Sequence, residues 1–382
     1  MPTLPTAFIA IQGSRVRLDG GTLVIEQPEL PGSTCSPTPT LQLGHLGAVV
    51  ALGRVDFTSA ALTALADRGI GCVLASQSGR LRAAIVAPST RHADLRGTQH
   101  AIESERRASQ AAPRPAAIAR NIICDKLDAM IGILAQHHRT HADVDLAHPI
   151  AHIRALRERA EHADSIDRLR GFEGAAAASY FSAMPALCRG ELTTSTRTRQ
   201  PPQDEINAAL SFGYSLLVNE LTCTLHARGL DPALGVMHPP ADGRPSLALD
   251  LVEPLRHAIV DRLVLRATNR RELVPSDFER AADECGGLAG VRMTHGGRAK
   301  FLQLYQAAMG ACCGDPRTGA TPPRTARSLL ADMVEGYERA LTAPHHEASN
   351  STTIAVETAC ASTNSNSTSI SPSPLHSSGT AS

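Results

Sequence analysis

Three residue types that bind hard divalent cations stand out in the second half of the sequence. Glu173 is the single acid in the apolar run GFEGAAAASYF, and His238 lies between a DP turn and two prolines in GLDPALGVMHPP. Asp250 and Glu253 are three residues apart, a spacing that places both carboxylates on one face of a helix. An imidazole with carboxylates suits Mg²⁺ or Mn²⁺, which activate phosphodiester oxygens. These residue types are therefore chemically compatible with a metal site for phosphodiester chemistry.

Each of these residues also has a purely structural interpretation. Glu173 fits the first turn of a helix, where the positive helix end favours a carboxylate. Because the chain has 16 histidines, His238 taken alone is more readily explained as a hydrogen-bonded loop histidine. Pro254 is compatible with a helix only near its first turn, so Asp250 and Glu253 should lie near a helix N-terminus. The spacing alone leaves the metal site and the structural interpretation both open.

Short apolar runs predict strands in the N-terminal part of the chain. From Phe8 to Pro88, runs such as FIAI, AVVAL and GCVLA alternate with turns rich in Gly, Pro and Ser. One helix interrupts them in TSAALTALADRG, with Thr58 or Ser59 as its N-cap and Gly69 as its C-terminal stop. This part should form a small β-rich domain.

The larger remainder has the pattern of helices. Between residues 100 and 340, Ala, Leu, Arg and Glu recur at helical spacing, with loops expected at 189–205 and 229–246. Residues 346–382 contain 17 Ser or Thr and no Lys or Arg, a composition that favours disorder. The predicted fold class is α+β, with a small N-terminal β-rich domain and a larger, mostly α-helical catalytic domain. The predicted boundaries are a β domain at 1–88, a linker at 89–100, a helical domain at 101–345 and a disordered tail at 346–382.

Composition excludes several classes of function. Thirty-seven basic and 37 acidic residues give no net charge, so nucleic-acid binding requires a local patch. Of the basic residues 35 are arginines, whose forked side chains suit phosphates, whereas 11 aromatics without Trp argue against a surface that stacks single-stranded bases. Nine cysteines without a CxxC pair suggest neither disulfides nor a thiolate zinc site. Without a signal peptide or an apolar stretch of membrane-spanning length, a cytoplasmic protein that does not bind membranes is expected.

The order of these motifs resembles a known family. GFEGAAAASYF, INAALSFGYSLL, GLDPALGVMHPP, SLALDLVEPLRHAIVDRLV and LVPSDF follow one another as in the CRISPR-associated adaptation integrases, the metal-dependent DNases of spacer acquisition. The N-terminal segment LQLGHLGAVVALGRVDF is also similar to that family, and the resemblance covers about residues 8–300. The match thins after Phe278, and family members often carry a glutamine where this chain reads Thr325-Ala326-Arg327.

The resemblance implies roles for particular residues. Glu173, His238 and Glu253 would bind one Mg²⁺ or Mn²⁺ ion, and Asp250 would support them, which makes all four catalytic. Side chains that could contact DNA are Tyr214, Arg256, Arg262, Arg270, Arg271 and Arg298. An arginine on a helix is, however, more often part of a solvated face than a phosphate ligand.

The family also implies an activity and partners. Its members form homodimers, two of which flank a dimer of a small ferredoxin-like partner, and join 3′-hydroxyl ends of short foreign double-stranded DNA to a repeat array. The same site would permit nuclease activity with water as the nucleophile. One alternative is a catalytically inactive DNA-binding scaffold of the same fold. Another is an α+β protein whose histidine and acids are only structural.

Overall fold

The computed structural model describes residues 4–28, 38–87, 92–141, 143–198, 201–281, 290–313 and 324–343. The tail predicted at 346–382 lies outside these residues. None of the described helices is long and apolar enough to span a membrane.

Eight strands form two four-stranded sheets in the N-terminal part. They are β1 (Thr6–Ile9), β2 (Ser14–Asp19), β3 (Thr22–Glu26), β4 (Thr40–Gln42), β5 (Ala48–Leu52), β6 (Val55–Phe57), β7 (Gly71–Ala75) and β8 (Leu81–Ile85). The first sheet has the order β1-β5-β7-β8, in which β1, β5 and β7 are parallel and β8 is antiparallel. The second sheet has the order β4-β3-β2-β6. The β-rich domain predicted from the short apolar runs is confirmed.

Strand β5 contributes side chains to two cores. Val49 packs with Val16 and Leu23 in a core that contains residues of both sheets, whereas Val50 and Leu52 on the opposite face belong to the core of the helical domain. Because successive strand residues point to opposite faces, the run AVVAL is buried at every position. A sheet covered on both faces accounts for this continuous apolar strand.

The helix predicted between β6 and β7 is present as α1 (Ser59–Asp67). Thr58 is its N-cap, and the Thr58 hydroxyl accepts a hydrogen bond from the backbone N–H of Ala61 at 3.3 Å. The chain leaves the helix through Gly69, whose φ of +67° lies in the left-handed region.

Ten α-helices and two short hairpins account for most of the rest of the described chain. The helices are α2 (Ala93–Ala108), α3 (Pro113–Thr140), α4 (Ala147–Glu161), α5 (Ile166–Leu187), α6 (Glu205–Ala227), α7 (Ser246–Leu251), α8 (Glu253–Leu255), α9 (Arg262–Asn269), α10 (His295–Gly310) and α11 (Ala326–Thr342). The hairpins pair β9 (Phe278–Ala281) with β10 (Gly290–Met293) and β11 (Cys312–Cys313) with β12 (Arg324–Thr325). The mostly helical second domain is confirmed. Helix α2 begins inside the stretch predicted as a linker at 89–100.

The helix predicted through Asp250 and Glu253 is broken. Helix α7 ends at Leu251, α8 begins at Glu253, and a π-helical turn at Arg256–Asp261 leads into α9. Pro254 has no N–H to donate to the carbonyl four residues earlier, and its ring crowds that carbonyl. The interruption turns Glu253 into the first residue of a new helical turn, which agrees with the expected place of Pro254.

Candidate active site

Two of the predicted metal ligands, Glu173 and Glu253, meet at one ammonium group. Lys126 Nζ donates a hydrogen bond to Glu173 Oε1 and lies 2.6 Å from Glu253 Oε2. Lys126 is only 5% exposed and Glu253 only 3%. The three residues come from different helices, and α3 brings them together because it packs against both α5 and α8.

Glu173 lies within helix α5 and not at its end. It is seven residues after Ile166, the first residue of the helix, and the acid in the first turn is Asp167. The interpretation of Glu173 as a first-turn carboxylate is therefore wrong. The side chain is held by a buried lysine and not by the helix end.

Glu253 is ionised in this environment. Its Oε1 lies 2.8 Å from Nη1 of Arg256, while Lys126 occupies the other oxygen. Burial alone would raise the pKa of Glu253, but the positive charges of Arg256 and Lys126 outweigh it and lower the pKa to about 2. At neutral pH the carboxylate is thus an anion between two cations.

His238 is oriented by the buried carboxylate of Asp250. His238 Nδ1 lies 2.5 Å from Asp250 Oδ1, and the peptide N–H groups of Val236 and Met237 donate to Oδ2 at 2.7 and 2.8 Å. Burial raises the pKa of Asp250, although these hydrogen bonds favour its ionised form. Because Asp250 engages Nδ1, any ligand of the imidazole must be bound by Nε2.

The loop that carries His238 is fixed at several points. A Cβ atom at Gly235 would lie 2.4 Å from the backbone oxygen of His238, so only glycine fits this close approach. Gln99 of α2 exchanges two hydrogen bonds with the backbone of Asp231, at 3.0 and 3.2 Å. Arg170 of α5 donates to the backbone oxygen of Met237. The last contact ties the loop to the helix that carries Glu173.

A second buried carboxylate, Asp261, organises the residues behind Glu253. It accepts hydrogen bonds from Tyr180 at 3.0 Å and Tyr214 at 2.6 Å, and Nδ1 of His257 lies 2.7 Å away. Burial raises the pKa of both tyrosines well above the ordinary value, so they are neutral donors. The guanidinium of Arg256 lies over the Tyr214 ring, 5.1 Å from its centroid. The network thus positions the cation that pairs with Glu253.

The donor atoms fit a hard divalent cation in their chemistry. Two carboxylates already converge on one cation, the Lys126 ammonium, and the neighbouring loop offers the imidazole Nε2. As the side chains stand, no three His, Cys, Asp or Glu residues in the described ranges are grouped closely enough to hold a metal ion. Metal binding by Glu173, His238 and Glu253 therefore stays a prediction.

The candidate DNA contacts fall into two groups. Arg256 pairs with Glu253, and the Tyr214 ring lies under the guanidinium of Arg256. The others contact different regions: Arg262 donates to Gln136 at 3.1 Å, Arg298 donates to the backbone oxygen of Met293 at 2.8 Å, Arg271 lies 3.7 Å from Glu191, and Arg270 is exposed after the last residue of α9. Tyr214 and Arg256 are consequently the candidates that share the site with the predicted ligands.

Sequence reasoning missed Lys126 and Asp261. Lys126 carried a signal, since it is one of only two lysines and lies within the apolar helical run NIICDKLDAMI. Asp261 carried none, because HAIVDRL is an ordinary helical pattern.

Comparisons with known proteins identify the same family that the order of the sequence motifs resembles. A family model described as CRISPR associated protein Cas1 matches residues 7–307. A relative from Rhodospirillum rubrum, named CRISPR-associated endonuclease Cas1 2, is 37% identical over 316 residues, which are 79% of this chain and 86% of the relative.

Two solved structures share the fold. A structure described as a casposase bound to integration product has a TM-score of 0.73 at 20% identity, over 88% of this chain and 90% of that one. A Cas6-RT-Cas1–Cas2 complex matches with a TM-score of 0.71 at 20% identity, over 92% of this chain and 36% of that one. Since the family model spans most of the sequence and the relative is similar over most of both chains, this protein belongs to the Cas1 family of CRISPR-associated proteins.

Proposed function

We propose that this protein is a metal-dependent DNA endonuclease and integrase that inserts short foreign DNA into a CRISPR repeat array. The observation that carries the proposal is the convergence of Glu173 and Glu253 on a buried cation beside the His238–Asp250 pair. Relatives named as endonucleases, and a structural neighbour bound to an integration product, support the same chemistry.

In this proposal the site residues have separate tasks. Glu173, Glu253 and Nε2 of His238 would hold Mg²⁺ or Mn²⁺. The bound ion would polarise the phosphodiester and stabilise the charge that develops on it. Asp250 keeps the imidazole in the tautomer that leaves Nε2 available, and Asp261 holds the Tyr214 ring under Arg256.

The proposed reaction is a transesterification. The 3′-oxygen of the incoming strand forms a bond to a phosphorus of the repeat strand, and the bond from that phosphorus to the repeat's own 3′-oxygen breaks. The attacking hydroxyl loses its proton, and the departing oxygen gains one. With water in place of the 3′-hydroxyl, the same steps give endonuclease cleavage. Arg256, held beside Glu253, supplies a fixed positive charge for a phosphate at the site.

The proposal includes partners. The substrates are double-stranded DNA fragments and the repeat array, and insertion at both repeat ends calls for two copies of the site, hence a homodimer. A small ferredoxin-like adaptation protein is the proposed second partner, supported by the match to the Cas6-RT-Cas1–Cas2 complex. The proposed compartment is the cytoplasm.

Strand joining of a short duplex into a supercoiled repeat plasmid tests the proposal, with Mn²⁺ or Mg²⁺ added and EDTA as the blank. Glu173→Ala, His238→Ala and Glu253→Ala should each abolish joining but retain DNA binding, because arginine–phosphate contacts supply sequence-independent affinity. Glu158→Ala, which changes an exposed acid on α4, is the matched control. Joining at the parent rate by the Glu173 and His238 variants would show that the site is wrong. If the parent protein binds DNA without metal but does not join strands under any condition, it is the catalytically inactive DNA-binding scaffold.

A further inference from the structure

Lys126 stands at the centre of the candidate metal site although it cannot bind a metal as an ammonium. It is one of two lysines in a chain with 35 arginines. Its Nζ contacts Glu173 and Glu253, which are supplied by two other helices, and it is 5% exposed. With Arg256 on the remaining oxygen of Glu253, two carboxylates face two cations. The group is electrically balanced before any metal arrives.

We propose that Lys126 is a positioning residue that holds Glu173 and Glu253 together in the metal-free protein and is displaced when a divalent cation binds. The inference rests on the proposed function, because it assumes that these two carboxylates are metal ligands. Beyond that function, it assigns to Lys126 the role of an internal cation that competes with the metal for the two carboxylates.

The physical argument begins with the two carboxylates. Side by side and largely removed from water, they repel each other and would move apart or take up a proton without a cation between them. The ammonium removes that repulsion and keeps the two groups at the separation of a shared cation. The ligands are therefore already assembled for an incoming metal ion.

The side-chain type suits a group that must leave. A lysine has a compact charge on a flexible four-carbon stem, whereas an arginine binds carboxylates through a rigid fork. Nearly all other basic positions in this chain are arginines. An Mg²⁺ or Mn²⁺ ion carries twice the charge of the ammonium and can take both carboxylate oxygens, so Lys126 would withdraw from them.

A purely structural ion pair makes a different prediction. If Lys126 only stabilised the fold, its removal would destabilise the metal-free and the metal-loaded protein equally. If Lys126 occupies the position of the metal, its removal harms only the metal-free protein and makes the metal bind more tightly.

The test compares the full-length Lys126→Met variant with the parent, and Lys300→Met is the matched control. Lys300 pairs with Asp277 at 2.7 Å and is 41% exposed, so its loss removes a lysine and an ion pair outside the site. Melting temperatures are measured in EDTA and in Mn²⁺, and Mn²⁺ affinity is measured by calorimetry without DNA.

Lys126→Met should melt several degrees below the parent in EDTA, regain most of that loss in Mn²⁺, and bind Mn²⁺ roughly tenfold more tightly. Lys300→Met should leave the affinity unchanged. Unchanged or weaker Mn²⁺ affinity, or an equal loss of melting temperature with and without metal, overturns the inference.

A measurement on the parent protein keeps the inference testable if Lys126→Met does not fold. Protein labelled with ¹³C at the lysine ε-carbon has only two such lysine positions, which Lys300→Arg assigns. Addition of Mg²⁺ should shift the Lys126 signal and leave that of Lys300 in place. If the Lys126 signal stays fixed while calorimetry detects bound Mg²⁺, the inference about Lys126 is wrong but the proposed function is unaffected. Shifting of Lys126 without any strand joining would instead overturn the proposed function, and a parent that binds no divalent cation overturns both.

Discussion

Asp250 and His238 form a unit in which one buried carboxylate fixes both an imidazole and the loop that carries it. The carboxylate accepts from two peptide N–H groups at 2.7 and 2.8 Å, from the His238 N–H at 3.1 Å, and lies 2.5 Å from Nδ1. Orientation of the ring and folding of the loop therefore depend on the same side chain.

Replacing Asp250 by alanine should affect both properties. We expect strand joining to fall roughly 10 to 100-fold, because the imidazole loses its orienting partner. The melting temperature should fall as well, because three backbone N–H groups lose their acceptor. Asp242→Ala, at an exposed position of the same loop, should change neither quantity. Full activity in a stable Asp250→Ala protein would contradict the orienting role.

Glu253 should make the metal-free protein sensitive to acid. Its pKa in the folded protein is about 2, below the ordinary 4.5, so the unfolded chain takes up the proton first as the pH falls. The stabilisation is therefore complete above pH about 4.5 and is lost as the pH falls towards about 2. In EDTA, the difference in free energy of unfolding between the parent and Glu253→Gln should shrink over this interval. A pH-independent difference would contradict the assigned ionisation, and Glu158→Gln serves as the control.

Arg327 should stabilise the junction between the two domains. Its Nη1 lies 2.6 Å from Glu220 Oε2 on α6 and 2.7 Å from Thr6 Oγ1 on β1. Arg327→Met would leave Glu220, which is 3% exposed, without its cation, at a loss of about 3–5 kcal/mol. Urea unfolding should show this loss, and adding Glu220→Gln should recover much of it. A loss that the second substitution does not reduce would point to packing by the arginine stem.

The C-terminal tail should be dispensable for folding. Its Ser- and Thr-rich composition has too few large apolar groups to form a core. A chain that ends at His345 should melt within error of the parent in differential scanning calorimetry. A fall of many degrees would show that residues 346–382 dock on the folded body.

Self-association is expected through the N-terminal sheets. Strand β8 is an edge strand of the first sheet, and Arg82, Ala83 and Ala84 along it are exposed. Light scattering should give about twice the 40.3 kDa of one chain. A strict monomer at micromolar concentration would count against a chemistry that needs two copies of the site.

Local patterns predicted the N-terminal strands, most of the later helices and the Glu, His and Asp residues of the site, but not strands β9–β12, which lie within the stretch predicted to be helical. The N-terminal strands, α1 with its Thr58 cap, and the loop that carries His238 all follow from short-range signals. Lys126 could not be assigned in this way, because Glu173 lies 47 residues further along the chain and only the packing of α3 joins them. The π-helical turn at Arg256–Asp261 was likewise invisible, since its sequence pattern does not differ from that of an α-helix.

The two-sided burial of β5 has a consequence for how the molecule comes apart. Val49 belongs to one core and Val50 to the other, so the strand cannot leave either core without exposing the other. Melting of the N-terminal sheets would therefore expose the part of the helical domain's core that β5 covers. The two regions should consequently lose their structure in one cooperative transition. A single calorimetric peak, with equal van't Hoff and calorimetric enthalpies, is the signature of this coupling. What looks like two domains along the sequence would then behave as one thermodynamic unit.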